Sequence, residues 1–450
     1  MIKKEVFREY DIRGIYNDGI TDELAYKLGR VFASISDGKV IVGHDARLSS
    51  NALNTNLIKG LIDSGATVTD IGLVTTPMLY YARELLNIPY AIMITASHCD
   101  KDQNGFKLCG RNGSIFASEI QDIYNLIIKN EYKEGAGKVD RYDITYDYKK
   151  LMDDKIKLGD RRLKVVVDCG NGTTCFYNPD IIKNFNVDFI PLYCDSNPQF
   201  PNHIPDPAVE DNMHDLEKKV KEEHADLGIA FDGDGDRIGI VDENGKLVKT
   251  DMFMLIIWKS IYKTCKNKLA TFDVKCSNAL IESLKKLGLQ TEFNRTGHSY
   301  LKKAIKEKSL DFAGEFSGHV CFNDDFYGYD DALYAALRLL KILSNTNLNV
   351  SDYFKDVPVY YSAKEDYIKV GEENKDKIVN KVLNYAKEKK YNIITVDGVR
   401  ICYDDGFALV RKSNTSPCIT VRFEGKTLDS MELHKNEIMK LINEEINRKD

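Results

Sequence analysis

The chain has 450 residues, 43% hydrophobic and 29% charged, with 63 basic against 69 acidic side chains and a net charge of −6. At roughly 150 residues per domain, that length holds about three domains, or four smaller ones, each able to bury its own core. The acidic balance argues against a nucleic-acid partner but leaves room for a local basic pocket that takes a small anion.

The opening segment, MIKKEVFREYDIRG, has no apolar core of a signal peptide, so a cytoplasmic protein is expected. Lys39 to Gly43 reads as a short buried strand, and Asn51 to Asp63 carries Leu53, Leu57, Leu61 and Ile62 at helical spacing. Ala66 to Ile71 and Tyr90 to Ile94 are further strands, with the amphipathic PMLYYARELL between them. The alternation restarts at LKVVVDCGNG (163–172) and runs through a helical DNMHDLEKKVKEE to the strand Leu227 to Phe231. The longest apolar run, Met252 to Trp258, is too short to span a bilayer, so no membrane partner is expected. A third round holds the strand Ala270 to Val274, a helix from Asn278 to Leu287, the strand Gln290 to Phe293, a helix after His298 and the strand Leu310 to Ala313. Such β–α repeats imply parallel sheets between helices, in three domains of related design. After Ser351, short strands (NIITVDGVRICYDDGFALVR, CITVRFEG) precede a final helix, Leu428 to Asn447, as in a separate α+β domain. Ten scattered cysteines with no C-x-x-C pair read as reduced thiols, not a zinc ribbon or a disulfide framework.

Four loops carry the chemistry. In FDGDGDR (231–237), Asp232, Asp234 and Asp236 stand at i, i+2 and i+4 with glycines between, a density of charge that needs a hard cation. A calcium loop is the rival, since Glu243 falls on its twelfth position, but Arg237 stands where its sharp turn needs Gly and strands flank the motif. In ITASHCDKDQNGFK (94–107), Ser97, His98 and Lys107 offer a hydroxyl nucleophile, a proton carrier and a cation at a strand end; the alternative is a capped turn. AGEFSGH (313–319) puts Glu315, Ser317 and His319 at period two, suited to sugar hydroxyls, or else forms an ordinary surface loop. RKSNTSP (411–417) packs Arg411, Ser413, Asn414 and Thr415 into five residues between two strands, either a phosphate cradle or a polar hairpin loop. It lacks the Walker pattern, so a nucleotide fold is not indicated.

Together these loops, in this order, resemble the α-D-phosphohexomutase superfamily. YDIRG (10–14), GHDARLSS (43–50), FPNHIPDP (200–207), VKCS (274–277) and RTGHS (295–299) extend the resemblance over essentially the whole chain. GEFSGH with FYGYDDALYAALRLL is similar to the bacterial phosphomannomutase/phosphoglucomutase branch. The resemblance implies four domains around a central cleft: three related α/β domains, each a mixed sheet between helices, and a C-terminal α+β TATA-binding-like domain. We expect them at 1–145, 146–248, 249–358 and 359–450. It implies a phosphohexomutase that interconverts hexose 1-phosphate and hexose 6-phosphate, of mannose and/or glucose, through a phosphoserine and a hexose 1,6-bisphosphate that is both intermediate and activator. Ser97 would be the phosphoserine, with Asp232, Asp234, Asp236 and Ser97 itself around one Mg²⁺. Arg13, His98, Lys107, Arg237 and His298 would surround the transferring phosphate. Tyr10, Lys275, Glu315, Ser317 and His319 would contact the sugar, and Arg411, Ser413, Asn414 and Thr415 the other phosphate. The partners are small hexose phosphates, and the protein is expected as a monomer, with a dimer as the alternative.

Two departures from the family pattern stand out. Cys99-Asp100 replaces Asn-Pro after Ser-His, which puts a carboxylate where it would repel a phosphoserine, and His44 replaces an arginine in GHDAR. The rival functions are a phosphoglucosamine mutase, a Mg-dependent sugar phosphatase and a non-enzymatic sugar-phosphate- or calcium-binding module.

Overall fold

The computed structural model describes residues 2–413 and 417–448. Three sheets share one topology. In the first, Lys39–His44 lies between Thr67–Leu73 and Ala91–Ile94, all parallel, and Gln103–Gly110 returns antiparallel beside Ala91–Ile94. In the second, Leu163–Asp168 pairs in parallel with Val187–Leu192 and Leu227–Phe231, and Ile238–Asp242 returns antiparallel. In the third, Leu269–Asp273 pairs in parallel with Gln290–Asn294 and Phe312–Gly314, and Val320–Phe322 returns antiparallel. The spatial order is fourth, third, first, second strand in every case.

The sheets are therefore mixed, as the family resemblance implies, where the β–α pattern alone pointed to parallel ones. Apart from the strand after the acidic loop, the pattern misses the returning strand because a short hairpin strand has no helix before it to mark it. That strand matters for function. Three of the four chemical loops are the turns of these hairpins, at the carboxyl end of the third strand, where open α/β sheets present ligand sites.

The helices match the amphipathic segments closely. Ser50–Asp63 buries Leu53, Leu57 and Leu61, and Asn278–Lys286 buries Leu280 and Leu284. The strongly apolar Thr250–Ile261 is a core helix that buries Trp258 and six other apolar residues. Among the described residues no helix is long and apolar enough to cross a membrane.

The C-terminal sheet is antiparallel throughout, with Gly406–Lys412 between Val399–Tyr403 and Cys418–Gly425. Strand alternation divides its faces. Ala408 and Val410 join the core under helices Glu372–Glu388 and Leu428–Ile446, while Phe407 and Leu409 pack on Val274 of the third domain. Two buried arginines rivet this interface. Arg400 Nη1 donates to the carbonyls of Val274 (2.6 Å) and Cys276 (2.9 Å), Arg422 donates to the carbonyl of Lys275, and Asn278 N donates to Glu424 at 2.8 Å. The described flanks of the fourth loop, Arg411, Ser413 and Pro417, are thereby set in the same cleft as the other three loops.

Candidate active site

A cleft of about 710 Å³ opens where three hairpin turns converge with Arg411, Ser413 and Pro417 of the C-terminal domain. Its described lining carries nine lysine and arginine side chains against five carboxylates, the inverse of the chain as a whole. A small polyanion is the ligand such a field concentrates.

Ser97 holds the floor. It is 2% exposed and sits at φ +53°, a left-handed conformation for a non-glycine residue, stabilised by a hydrogen bond from its N–H to Thr95 Oγ1 at 2.8 Å. Its Oγ donates to Asp232 Oδ2 at 2.8 Å and lies 3.1 Å from His98 Nδ1. Gly233 permits this contact between domains, since a Cβ there would lie 2.5 Å from the Ser97 carbonyl oxygen. Arg47, which residue types alone did not single out, fixes the serine loop from behind. Its guanidinium donates to the carbonyls of Ser97 (2.9 Å), Cys99 (2.6 Å), Asp100 (2.6 Å) and Gln103 (3.0 Å).

The acidic loop is built for a cation. Asp232 Oδ1 accepts the N–H groups of Gly235, Asp236 and Arg237, each at 3.0 Å, which folds the loop so that all three carboxylates face inward. Oxygens of Asp232, Asp234 and Asp236 fall within 4.8 Å of one another, all buried. Lys107 Nζ donates to Asp234 (2.7 Å) and Asp236 (2.5 Å), yet Asp234 Oδ1 and Asp236 Oδ1 are buried without a hydrogen-bond partner. Burial, then the charges of Asp234 and Asp236, push the Asp232 carboxyl up. Three carboxylates against one ammonium leave a negative surplus, and the oxygen-only donor set suits a hard dication such as Mg²⁺. Glu243, the residue that suggested a calcium loop, instead accepts hydrogen bonds from Ser351.

Around the serine, burial lowers the histidines. His98 is pushed down by desolvation and then by Arg237 and Arg13, and His298 by desolvation and then by Lys302. Both are neutral at neutral pH. Burial alone would lower Lys107 too, but the carboxylates of Asp234 and Asp236 hold it well above its ordinary value, so it stays charged. Arg13 pairs with Asp11 and donates to Cys99 Sγ at 3.2 Å. Arg237 Nε donates to His319 Nε2 at 2.9 Å, and His319 Nδ1 lies 2.9 Å from Asp330 and stacks on His298 at 5.2 Å.

On the opposite wall Glu315 accepts from Gly297 N (2.6 Å) and Ser317 Oγ (3.1 Å). Tyr10 donates to the Thr296 carbonyl at 2.5 Å. Lys275 Nζ lies 3.4 Å from Glu365, and Arg411 Nε donates to Asp397 at 2.9 Å; Glu365 and Asp397 were not anticipated, because neither stands in the local run of residues that holds its partner. Ser413 reaches the cleft, whereas Asn414 and Thr415 lie outside the described residues. The structure thus brings Ser97, His98, Lys107, Arg13, Arg237, His298, Tyr10, Lys275, Glu315, Ser317, His319, Arg411 and Ser413 to one cleft, with the three aspartates just beneath it.

The departure at Asp100 has less effect than its charge suggested. Its carboxylate is exposed and accepts from Lys101 N at 2.7 Å, outside the cleft lining, where solvent screens it. Cys99 is the residue that meets Arg13. His44 turns its Nδ1 to the Asp45 carbonyl at 2.8 Å.

Comparison with known proteins agrees with this architecture. Four family profiles match in chain order: phosphoglucomutase/phosphomannomutase alpha/beta/alpha domain I at residues 4–134, domain II at 147–245, domain III at 249–361 and the C-terminal domain at 367–441. A phosphomannomutase/phosphoglucomutase of Pseudomonas aeruginosa is 41% identical over 431 residues, covering 95% of this chain and 93% of that protein. A phosphoglucomutase of Neisseria meningitidis is 34% identical over 449 residues, covering 98% and 97%. The crystal structure of a phosphoglucomutase/phosphomannomutase family protein from Burkholderia thailandensis superposes with a TM-score of 0.91 at 32% identity, covering 100% of this chain and 99% of that one. With matches to every domain and relatives spanning nearly its full length, the chain belongs to the phosphoglucomutase/phosphomannomutase family.

Proposed function

We propose that the protein interconverts hexose 1-phosphate and hexose 6-phosphate, of mannose and/or glucose, through phosphoserine 97 and a hexose 1,6-bisphosphate. The observation that carries this is the pairing of Ser97 Oγ with Asp232 at 2.8 Å, a hydroxyl set on a metal-type loop in a cleft whose far wall holds Arg411 and Lys275. Residues 1–145 supply the nucleophile, 146–248 the acidic loop, 249–358 the sugar contacts and 359–450 the phosphate clamp.

Arg411, Ser413 and Lys275 grip the phosphate that does not react, and Glu315 and Ser317 read the hydroxyls between. The free sugar hydroxyl then faces Ser97. As its oxygen bonds to phosphorus, the bond from phosphorus to Ser97 Oγ breaks and the hydroxyl proton passes to a base of the cleft, for which Lys107 and His298 are the candidates, His298 only once its Nδ1 gives up the contact with Lys302 at 2.8 Å. Arg13, Lys107 and Arg237 offset the charge on the transferring group. A bound Mg²⁺ at Asp232, Asp234 and Asp236 would supply Lewis-acid stabilisation of that charge. The bisphosphate turns end for end and returns its other phosphate to Ser97. One clamp must hold either end, which explains its reliance on charge and N–H groups rather than a close-fitting shape.

A coupled assay with mannose 1-phosphate, glucose 1-phosphate and glucosamine 1-phosphate side by side tests the reading and its phosphoglucosamine rival. Net release of inorganic phosphate in place of isomerisation would mark a phosphatase. Arg411→Ala is expected to weaken 1-phosphates and 6-phosphates alike by roughly 1.5–3 kcal/mol, the scale of a hydrogen bond to a charged group; a loss confined to one regioisomer contradicts the shared clamp. Glu315→Gln keeps the shape but turns one acceptor into a donor, so the ratio of kcat/KM between hexose substrates should shift. Unchanged ratios remove Glu315 from hydroxyl selection.

A further inference from the structure

Beneath the acidic loop three thiols meet. Cys169 follows the strand Leu163–Asp168, and parallel pairing sets Asp168 opposite Leu192, two residues before Cys194. The Sγ atoms of Cys169 and Cys194 stand 3.3 Å apart in S–H···S contact, and Cys175 Sγ, close by, donates to the Tyr193 carbonyl at 3.5 Å. Cys169 is buried; Cys194 and Cys175 are partly exposed. Contact with Cys169 holds the Cys194 thiol below its ordinary value, while burial pushes Cys169 up. Of the touching pair, Cys194 is the sulfur that solvent can reach and Cys169 the buried one behind it, the arrangement a peroxide-sensitive pair requires.

The segment after Cys169 supports the catalytic floor. Asn171 N donates to the Tyr193 carbonyl at 2.9 Å, and Asn171 Nδ2 to the Asp195 carbonyl at 2.7 Å, lacing the two strand ends together. Thr173 N donates to the Gly233 carbonyl at 2.9 Å, and Thr173 Oγ1 accepts from Ala46 N at 3.0 Å. Asn171, Gly172 and Thr173 also line a small cavity with Ser97, Arg47 and Gly233. Displacing residues 169–173 displaces what Ser97 and the acidic loop rest on.

We propose that Cys169 and Cys194 form a redox modification site, in which a peroxide joins them as a disulfide that reversibly lowers turnover. The Cys194 thiolate attacks a peroxide oxygen; the O–O bond breaks, one water leaves and a sulfenic acid remains. The Cys169 thiol then attacks that sulfur; the S–S bond forms, the S–O bond breaks and a second water leaves. Two thiols and one hydrogen peroxide give one disulfide and two waters, with two electrons passing from sulfur to oxygen. Closing the pair to a bond of about 2.05 Å moves the strand ends by about an ångström. Misplacement of that size at a reacting centre lowers rate strongly, and we expect a loss on the order of tenfold. Only this activity readout rests on the mutase function proposed above; the cross-link is read independently of it.

The test treats the full-length protein with a small excess of hydrogen peroxide and maps unreduced tryptic peptides by mass. The expected product joins the Cys169 peptide to the Cys194 peptide with loss of two hydrogens, persists in Cys175→Ser, and is reversed with activity by dithiothreitol. Cys194→Ser should keep wild-type activity under reducing conditions and resist peroxide. Absence of the linked peptide, a Cys169–Cys175 bond in its place, or equal inactivation of Cys194→Ser through oxidation of Cys99 in the cleft overturns the proposal. Cross-linking without any change in hexose phosphate turnover would keep the modification and remove its effect on catalysis.

Discussion

Ser97→Ala is expected to lower turnover by a factor on the order of 10⁴ or more, the scale on which deleting a covalent nucleophile acts. Binding of hexose phosphates should stay within a few fold. The fold has little reason to change. Alanine and serine both carry a Cβ, so the cost of holding φ at +53° is the same, and the hydrogen bond from Ser97 N to Thr95 does not involve the lost hydroxyl. Asp232 loses one donor on Oδ2 but keeps three N–H groups on Oδ1. Initial rates, calorimetric binding and intact mass check this together, since the wild type should carry a phosphate that the variant lacks. Residual activity above about one per cent would move the phosphoryl carrier to another residue.

The second large effect lies at the acidic loop. Chelation by EDTA should abolish activity and added Mg²⁺ should restore it, whereas Asp234→Ala should stay inactive at any Mg²⁺ concentration. Asp234 Oδ1 and Asp236 Oδ1 are buried and unpartnered, and Lys107 brings a single charge to three carboxylates. A dication that stabilises the transferring phosphoryl group by about 3–5 kcal/mol corresponds to roughly 10²–10⁴ in rate. A readout free of turnover accompanies this. Mg²⁺ should raise the Tm of the wild type through binding to the native state, and should raise that of Asp234→Ala far less. Full activity in metal-free buffer would make the loop structural, with Lys107 as its hydrogen-bonded counter-charge.

Much of the site was legible because its chemistry is local in the chain. Three aspartates within five residues, a serine beside a histidine, and Glu315 two positions from Ser317 each form a group whose members stay together however the loop is placed. The strands Lys39–His44 and Leu227–Phe231 and the helices Ser50–Asp63 and Asn278–Lys286 were legible for a related reason: each carries its apolar residues at the period of its own geometry. Of the returning antiparallel strands only Ile238–Asp242 was legible, by its alternation after FDGDGDR, since hairpin pairing leaves no periodic mark beyond a few alternating residues.

What residue types alone left open is how these groups support one another. Arg47, part of the run GHDARLSS, takes its role when the fold sets it against four carbonyls of the serine loop. Asp397 gains its meaning from Arg411 across a hairpin, Asp330 from His319, and Cys169 from Cys194 on the neighbouring strand. Local residue types by themselves marked the acidic loop and the α/β domains, because these depend on side-chain type at short spacing, while Ser97 as the expected nucleophile and 411–417 as the expected phosphate clamp came from the order of motifs along the whole chain. The tertiary structure decided which loops face one cleft, that Ser97 from one domain bonds Asp232 of the next, and that Asp100 turns to solvent. Those relations are set by strand order and by the packing of one domain on another, and neither is encoded in any local run of residues.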